Sequence, residues 1–211
     1  MKKNIKTLIE YLEIYKRDFS NKLIYGINAP KHLERIWINP LEIRHLITRE
    51  EILNVTGLSR KYASGTVIDW EKIRNFIPLY EEYRIQYCIK HWKQNITWED
   101  LGVFEFMSKT NKYGGQSMND IIKRFEMLDN AFQKIKEDKY LKSRQELVPG
   151  TFREKDGILI HIGPNGEPFF GGIGFHRLAM SIVLELEKIP ACVGVVDKNS
   201  IQLLRKLRNK G

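Results

Sequence analysis

A glycine-rich turn in the last fifth of the chain most constrains what it can fold into. The segment reads Phe169-Phe170-Gly171-Gly172-Ile173-Gly174-Phe175-His176-Arg177-Leu178-Ala179. The apolar residues before the glycines indicate the end of a strand, and the residues from His176 to Glu187 have helical spacing. A buried strand is predicted next, from Ile189 to Val196. The chain therefore has to pass from strand to helix to strand through one tight turn.

Such a turn is typical of a phosphate site. A helix N-terminus presents backbone N–H groups and the positive end of the helix dipole. His176 and Arg177 stand where their side chains would add charge-assisted hydrogen bonds to a phosphate. The alternative is that the glycines only form a tight turn and that Arg177 is a surface residue. The spacing alone leaves both interpretations open.

Strand signals surround this segment. Gly157–Ile162 predicts a strand, Gly163–Gly166 a hairpin turn, and Glu167–Phe170 the returning strand. Near the N-terminus, Arg35–Ile38 predicts a short strand, which Asn39-Pro40 stops.

Helical periodicity accounts for most of the remaining residues. An amphipathic helix is predicted over about the first eighteen residues. We expect its apolar stripe to pack on the core, because its opposite face mixes Lys and Glu. The pattern from Trp70 to about Met107 is helical and aromatic, and Ser117 caps a helix that runs to about Lys139. The apolar stripe of the first helix is formed by Ile5, Leu8, Ile9, Leu12 and Tyr15.

Charge and cysteine content narrow the class of protein. The 211 residues carry a net charge of +9, which favours anionic partners such as nucleotides, nucleic acid or anionic lipid. The basic residues are scattered, however, and this weakens the case for nucleic acid. Cys88 and Cys192 have no metal-ligand or disulfide spacing, so no metal site is expected. Acidic residues interrupt the N-terminal apolar stretch and no apolar run reaches membrane-spanning length, so we expect a cytoplasmic protein without a membrane span.

The order of these elements resembles the ParB/sulfiredoxin superfamily. The residues that carry the resemblance are Gly172–Ala179 and then Ile189-Pro190-Ala191-Cys192-Val193, while Trp37–Ile43 is similar to the opening strand of that superfamily. A closer resemblance, over most of the chain, is to largely uncharacterised prokaryotic ParB-like proteins with a helical insertion. Its ordered elements are Ile68-Asp69-Trp70-Glu71, Trp98-Glu99-Asp100, Arg124–Asp129 and His176-Arg177-Leu178.

The resemblance implies a fold and a ligand. The fold would be α+β, a small mixed sheet with packed helices, in a single domain over residues 1–211. An N-terminal helical extension would occupy residues 1–30 and a helical insertion residues 70–145. The ligand would be a nucleotide, ATP or ADP, with Mg²⁺ expected for phosphoryl transfer. The residues around its phosphates would be Gly172, Gly174, Phe175, His176 and Arg177.

Two departures from the family patterns bear on catalysis. Sulfiredoxins carry their catalytic Cys immediately before His-Arg, where this chain has Phe175, so we do not expect the sulfiredoxin reaction. Kinase-like relatives carry an Asp where this chain has Ile173. Glu42 or Glu167 would have to replace that Asp, and the alternative for each is an exposed carboxylate without a catalytic role. His176 is the third catalytic candidate.

Three functional hypotheses follow. The first is a kinase-like phosphotransferase that acts on an unidentified small acceptor, with Asp69 and Trp70 lining the acceptor pocket. For these two residues a helix cap and a core position are the alternatives. The second hypothesis is a partition-like module that binds nucleic acid, although no helix-turn-helix follows the motif. The third is a catalytically degenerate nucleotide sensor. We interpret His161, on the predicted hairpin, as structural.

Overall fold

The computed structural model describes residues 2–109, 117–151 and 153–210, with side chains from residue 12 onward. The helices are α1 (Lys2–Tyr25), α2 (Arg49–Thr56), α3 (Tyr83–Gln94), α4 (Val103–Ser108), α5 (Met118–Asp138), α6 (Arg144–Leu147), α7 (Phe175–Val183) and α8 (Leu204–Leu207). The strands are β1 (Arg35–Ile38), β2 (His45–Ile47), β3 (Val67–Ile68), β4 (Phe76–Pro78), β5 (Ile158–Ile162), β6 (Pro168–Phe170) and β7 (Ile189–Asp197). The class is therefore α+β.

The strands form one mixed sheet in the order β1-β7-β5-β6-β2-β4, and β3 also pairs with β7. β5 and β6 are the two arms of the predicted hairpin, which is confirmed, and β5 runs parallel to β7. All residues of β5 and β7 are buried, as expected for central strands that are covered on both faces. The returning strand β6 leads directly into the glycine turn and α7.

The core lies on both sides of this sheet. Side chains alternate along β5, so that Ile158, Ile160 and Ile162 face the cluster that contains α7, while Leu159 belongs to a cluster on the opposite face. α7 packs against α3 and α5 and buries Leu178 in the same cluster. The helix that follows the glycine turn is thus held rigidly between the sheet and two other helices.

The predicted bounds of α7 need a small correction. The helix begins at Phe175, one residue before the predicted start, and ends at Val183 rather than Glu187. The reason for the early end is local, because Glu185 has a φ of 51°, a left-handed conformation that terminates an α-helix.

The prediction of a continuous helical pattern from Trp70 to Met107 is wrong in its first part. Residues 70–72 and 79–81 form 3-10 turns, and β4 between them pairs with β2 at the edge of the sheet. Pro78 is compatible with an edge strand, where a missing N–H costs no ladder bond. Regular helix begins only at Tyr83, so the range predicted as a helical insertion contains a strand as well as α3, α4 and α5.

The N-terminal helix exists, but the two described residues of its predicted apolar stripe do not pack on the core as expected. Leu12 and Tyr15 are exposed, whereas Ile14 is the buried apolar residue. The side chains of Ile5, Leu8 and Ile9 lie outside the described set. None of the helices in the described part of the chain combines the length and apolar character needed to cross a membrane.

Candidate anion-binding site

The glycine turn adopts a backbone conformation that requires glycine. Gly172 and Gly174 have φ values of 71° and 90°, in the left-handed region that side chains disfavour. Gly174 is also the N-cap of α7, and a Cβ there would lie 3.0 Å from Cα of Ile158. The turn therefore lies directly against β5, and α7 begins where the turn ends.

Arg60 holds this turn from the loop between α2 and β3. Its Nη1 donates to the carbonyl oxygen of Gly171 at 3.2 Å and to that of Gly172 at 2.7 Å. A Cβ on Gly172 would collide with the same guanidinium. Gly172 thus provides both the left-handed φ and the room that Arg60 occupies.

The first turn of α7 points its donors toward the same region. The N–H of Leu178 donates to the carbonyl of Gly174 at 2.9 Å and closes the first turn of the helix. The N–H groups of Phe175 and Arg177 precede that bond, at the end of the helix where the dipole is positive. This end of α7 is suited to an anion.

A cavity of about 690 Å³ opens at this helix end, and its lining is rich in arginine. Four arginines from different parts of the fold line it: Arg60, Arg84 of α3, Arg124 of α5 and Arg177 of α7. Among the described lining residues, Glu82 is the one carboxylate. We name this space the α7 cavity.

Part of the lining of the α7 cavity is apolar and aromatic. Tyr83 and Phe106 lie with their ring centroids 4.6 Å apart, and Leu128 lines the cavity beside them. Both rings are partly exposed. The two ring planes are tilted by 55° to each other. The lining therefore offers both arginines and aromatic rings to one ligand.

Arg84 links α3 to the start of α7. Its Cζ lies 3.5 Å from the centroid of the Phe175 ring, and its Nε donates to Oε1 of Glu82 at 2.7 Å. Phe175 is buried and packs edge-on against Phe170, with centroids 4.7 Å apart. The buried ring of Phe175 therefore supports a guanidinium at the cavity wall.

The cations of this site are partly desolvated. Burial lowers the pKa of Arg60 from its ordinary value, and the nearby charges of Arg84 and Arg49 lower it further. Burial likewise lowers the pKa of Arg177, while the nearby carboxylates of Glu154 and Asp156 raise it, and its guanidinium donates to the backbone carbonyl of Asp156. Arg60 and Arg84 thus repel each other, and partly buried cations of this kind attract an anionic ligand more strongly than solvated ones.

His176 lines the cavity and is held from α3. The hydroxyl of Tyr87 lies 3.1 Å from Nε2 of His176, in hydrogen-bonding distance. Gly172, Gly174, Phe175, His176 and Arg177, the predicted phosphate-binding residues, all line the α7 cavity. The structure thus brings this predicted set together.

The other predicted residues lie elsewhere. Glu42 is exposed in the 3-10 turn after β1, and Glu167 is exposed at the hairpin end of β6, so neither lines the α7 cavity. Asp69 pairs with Lys198 at 3.1 Å, and Trp70 packs on Phe169 in a core cluster. Of the two alternatives for Trp70, a residue of the acceptor pocket or a residue packed on the core, the structure shows the second.

Two buried titratable groups lie in the core and do not line the α7 cavity. His161 is fully buried, its Nδ1 accepts from the N–H of Val195 at 2.9 Å, and burial lowers its pKa to about 3. Burial raises the pKa of Cys192 to about 12, so this thiol stays protonated. Within residues 2–109, 117–151 and 153–210, no three His, Cys, Asp or Glu side chains are grouped to hold a metal ion.

Three arginines and Glu82 were missed by sequence reasoning. Arg60 lies in a basic stretch, but no spacing connects it to a turn more than a hundred residues away. Arg84 and Glu82 flank the start of a helix whose apolar periodicity indicates only a core face. Arg124 belongs to an element of the family resemblance, which was the one available signal.

Comparison with family models, with curated proteins and with solved structures found no match to this chain. The geometry of the α7 cavity is therefore what bears on function.

Proposed function

We propose that this protein binds the polyphosphate of a nucleotide, ATP or ADP, in the α7 cavity. The observation that carries the proposal is the convergence of Arg60, Arg84, Arg124 and Arg177 on a helix N-terminus behind a glycine turn. Guanidinium groups and first-turn N–H groups are the usual partners of phosphate oxygens. The proposal extends the resemblance to the ParB/sulfiredoxin superfamily, which places a nucleotide at the corresponding turn.

The size and the aromatic part of the cavity lining support a nucleotide over inorganic phosphate. A volume of about 690 Å³ is far larger than a single phosphate needs and is typical of sites for small organic ligands. A base would stack on one of the two exposed rings, Tyr83 or Phe106. A ligand that carries both phosphates and a flat ring matches a lining of arginines and aromatic side chains.

We further propose phosphoryl transfer to a small acceptor as the reaction class. This chemistry depends mainly on positioning and on stabilising charge, which the arginines would supply. Glu82 takes over the role predicted for Glu42 and Glu167, because it is the carboxylate on the cavity wall. It would accept the proton of the acceptor group, and His176 would contact the phosphates.

We assign no step of the proposed phosphoryl transfer to Mg²⁺. In phosphoryl-transfer sites Mg²⁺ is held by one or two carboxylates together with the substrate phosphates. The carboxylate of Glu82 is already engaged by Arg84, and the described residues hold no metal-ligating group of three. The residues of the cavity wall therefore do not fit a resident metal site.

The second candidate is a nucleotide sensor without catalysis. The ion pair between Glu82 and Arg84, at 2.7 Å, favours it because an engaged carboxylate is a weaker proton acceptor. Binding would be the same in both cases, and only transfer would distinguish them.

The test is calorimetric titration of ATP, ADP, CTP and GTP, with and without Mg²⁺. We expect one nucleotide to bind with a stoichiometry of one, and Arg84→Gln and Arg124→Gln each to weaken binding about tenfold, since a charge-assisted hydrogen bond is lost. The matched control is Arg74→Gln, because Arg74 is exposed and does not line the cavity.

An assay with γ-labelled ATP, in which water stands in for the acceptor and takes the labelled phosphate while ADP leaves, then separates kinase from sensor. Release of labelled phosphate that Glu82→Gln abolishes would support the kinase, and binding without release would support the sensor. Absence of binding by all four nucleotides, together with salt-sensitive retardation of duplex DNA, would overturn both in favour of a nucleic-acid-binding module.

A further inference from the structure

α1 presents two faces with opposite roles. One face docks on the rest of the protein through polar groups. Arg17 donates to the carbonyls of Tyr62 and Ser64, at 2.6 and 2.7 Å, and Asn21 donates to the carbonyl of Gly65 at 2.8 Å. These bonds fix the orientation of the helix, so its other face is presented outward in a defined way.

The outward face is mainly apolar, and the Cζ of Arg153 lies 5.9 Å from the centroid of its Tyr15 ring. Leu12, Tyr15, Phe19 and Leu23 are 59%, 61%, 64% and 71% exposed. With 3.6 residues per turn, these four side chains share one side of the helix, opposite Asn21. We call them the α1 stripe. Large apolar side chains in a continuous exposed row indicate an interaction surface.

We propose that the α1 stripe pairs with the α1 stripe of a second copy of this chain and makes the protein a homodimer. Leu12, Tyr15 and Phe19 follow the alternating three- and four-residue steps of a coiled-coil seam. A seam of this kind is complementary to itself, which a two-fold symmetric contact requires.

Charge selects an antiparallel pair. Lys22 takes the next seam position after Phe19, and a parallel pair would place Lys22 of each copy against the other. In an antiparallel pair centred at the level of Arg17, Phe19 of one copy faces Tyr15 of the second copy, and Lys22 faces Leu12. This arrangement forms two aromatic contacts and avoids the like-charge contact.

The area of the stripe is sufficient for a modest dimer. Large apolar side chains that are about 60% exposed contribute about 500 Å² from one copy, from the areas usual for such residues. If the exposed part of the stripe is fully covered, two copies together bury about 1,000 Å², which is below the area of about 1,200–2,000 Å² that stable interfaces bury and is usual for weak, transient contacts. We therefore expect a dimer that dissociates on dilution.

The polar face of α1 favours a second copy over an anionic bilayer. Interfacial helices carry a basic polar face toward the lipid headgroups. In α1 that side includes Glu13, and Asp18 accepts from the backbone N–H of His32 at 3.0 Å. The polar face is mixed in charge and is used for docking within the chain.

Sedimentation over a wide range of protein concentrations tests this proposal. We expect the mass to rise from the monomer value of 24.9 kDa toward twice that value. Phe19→Glu should weaken the dimer at least tenfold, because it buries two unpaired carboxylates at the seam. Met127→Glu is the matched control, since Met127 is a 71% exposed residue on α5, and it should leave the dimer unchanged.

A wild-type chain that stays monomeric at every concentration would overturn the proposal, as would equal weakening by Phe19→Glu and Met127→Glu. Circular dichroism of both variants verifies that they are folded. Flotation of a monomeric wild-type chain with phosphatidylserine vesicles, lost in Phe19→Glu, would assign the stripe to a membrane surface instead. None of these outcomes depends on nucleotide binding.

Discussion

The guanidinium of Arg84 lies over the ring of Phe175, 3.5 Å from its centroid, and so joins α3 to the first residue of α7. The ring is buried beneath the cation and is supported from below by Phe170. This contact ties the region inserted between β3 and β5 to the glycine turn, and it positions one of the cavity cations.

Replacing Phe175 by Leu should therefore affect both the core and the cavity. We expect a loss of about 1–2 kcal/mol in the free energy of unfolding, since a buried ring is shortened. Nucleotide affinity should fall several-fold because Arg84 loses its support. Urea unfolding and calorimetry measure the two effects. Phe76→Leu, at an exposed ring, is the control and should change stability by less than about 0.5 kcal/mol. Unchanged affinity in Phe175→Leu would contradict the role of the ring.

Arg60 and Gly172 should be energetically coupled. Arg60→Ala leaves two buried carbonyls without their donor and should cost about 1–3 kcal/mol. Gly172→Ala introduces both a collision with Arg60 and a side chain at positive φ. In the Arg60→Ala background only the second penalty remains. The double variant should therefore lose less free energy of unfolding than the two single losses add up to, by at least about 1 kcal/mol. Strict additivity in urea unfolding would show that the two residues act independently.

Stability should fall in mildly acidic solution because of buried histidines. Burial lowers the pKa of His161 from 6.5 to about 3 and that of His32 to about 4. Between about pH 6 and pH 4 the unfolded chain binds these protons and the folded chain does not. The stability that each histidine contributes is therefore complete above pH 6.5 and is lost as the pH falls, by about 1.4 kcal/mol per pH unit for each group.

His161→Asn tests the sign and the source of this effect. The amide oxygen of Asn keeps an acceptor for the N–H of Val195, but it does not titrate. The slope of unfolding free energy against pH should decrease by about 1.4 kcal/mol per pH unit between pH 6 and pH 4. A slope equal to that of the wild type would mean that His161 is not the buried neutral group inferred here.

Asp129 of α5 should stabilise the packing of α5 against α3 and the segment that follows α3. Its carboxylate accepts from Nε1 of Trp92 and Nε1 of Trp98, both at 2.9 Å, and pairs with Nε2 of His91 at 3.0 Å. Asp129→Asn removes the charge and one of the acceptors, so we expect a loss of about 2–3 kcal/mol, measured by tryptophan fluorescence in urea.

The matched control for that change is Asp138→Asn on the same helix. Asp138 forms an exposed pair with Lys142 at 3.7 Å. Its replacement should alter stability by less than about 0.5 kcal/mol. If the two substitutions lowered the free energy of unfolding equally, the contacts of Asp129 would stabilise the protein no more than an exposed ion pair does.

Local signals in the sequence were sufficient for several elements. The hairpin over Gly163–Gly166, the cap of α5 at Ser117 and the turn before α7 each depend on a few neighbouring residues, and the structure confirms all three. β4 was missed because its three residues are ordered by pairing with β2 rather than by their own pattern. A strand that short has no periodicity to detect.

By itself, then, the sequence determined the glycine turn and the helix that follows it, because turn and helix signals are short in range. It also indicated Gly172–Arg177 as a candidate phosphate site. Only the tertiary structure decided what surrounds that turn. Arg60 reaches Gly171 across 111 positions, Arg84 and Arg124 arrive on separate helices, and Glu42 and Glu167 end elsewhere. Only the tertiary structure decided the orientation of α1 as well. Its residue spacing indicated an apolar stripe but not whether that stripe faces the core or the solvent. Both outcomes depend on contacts between distant segments, and the docking of Arg17 and Asn21 turned that stripe to the solvent.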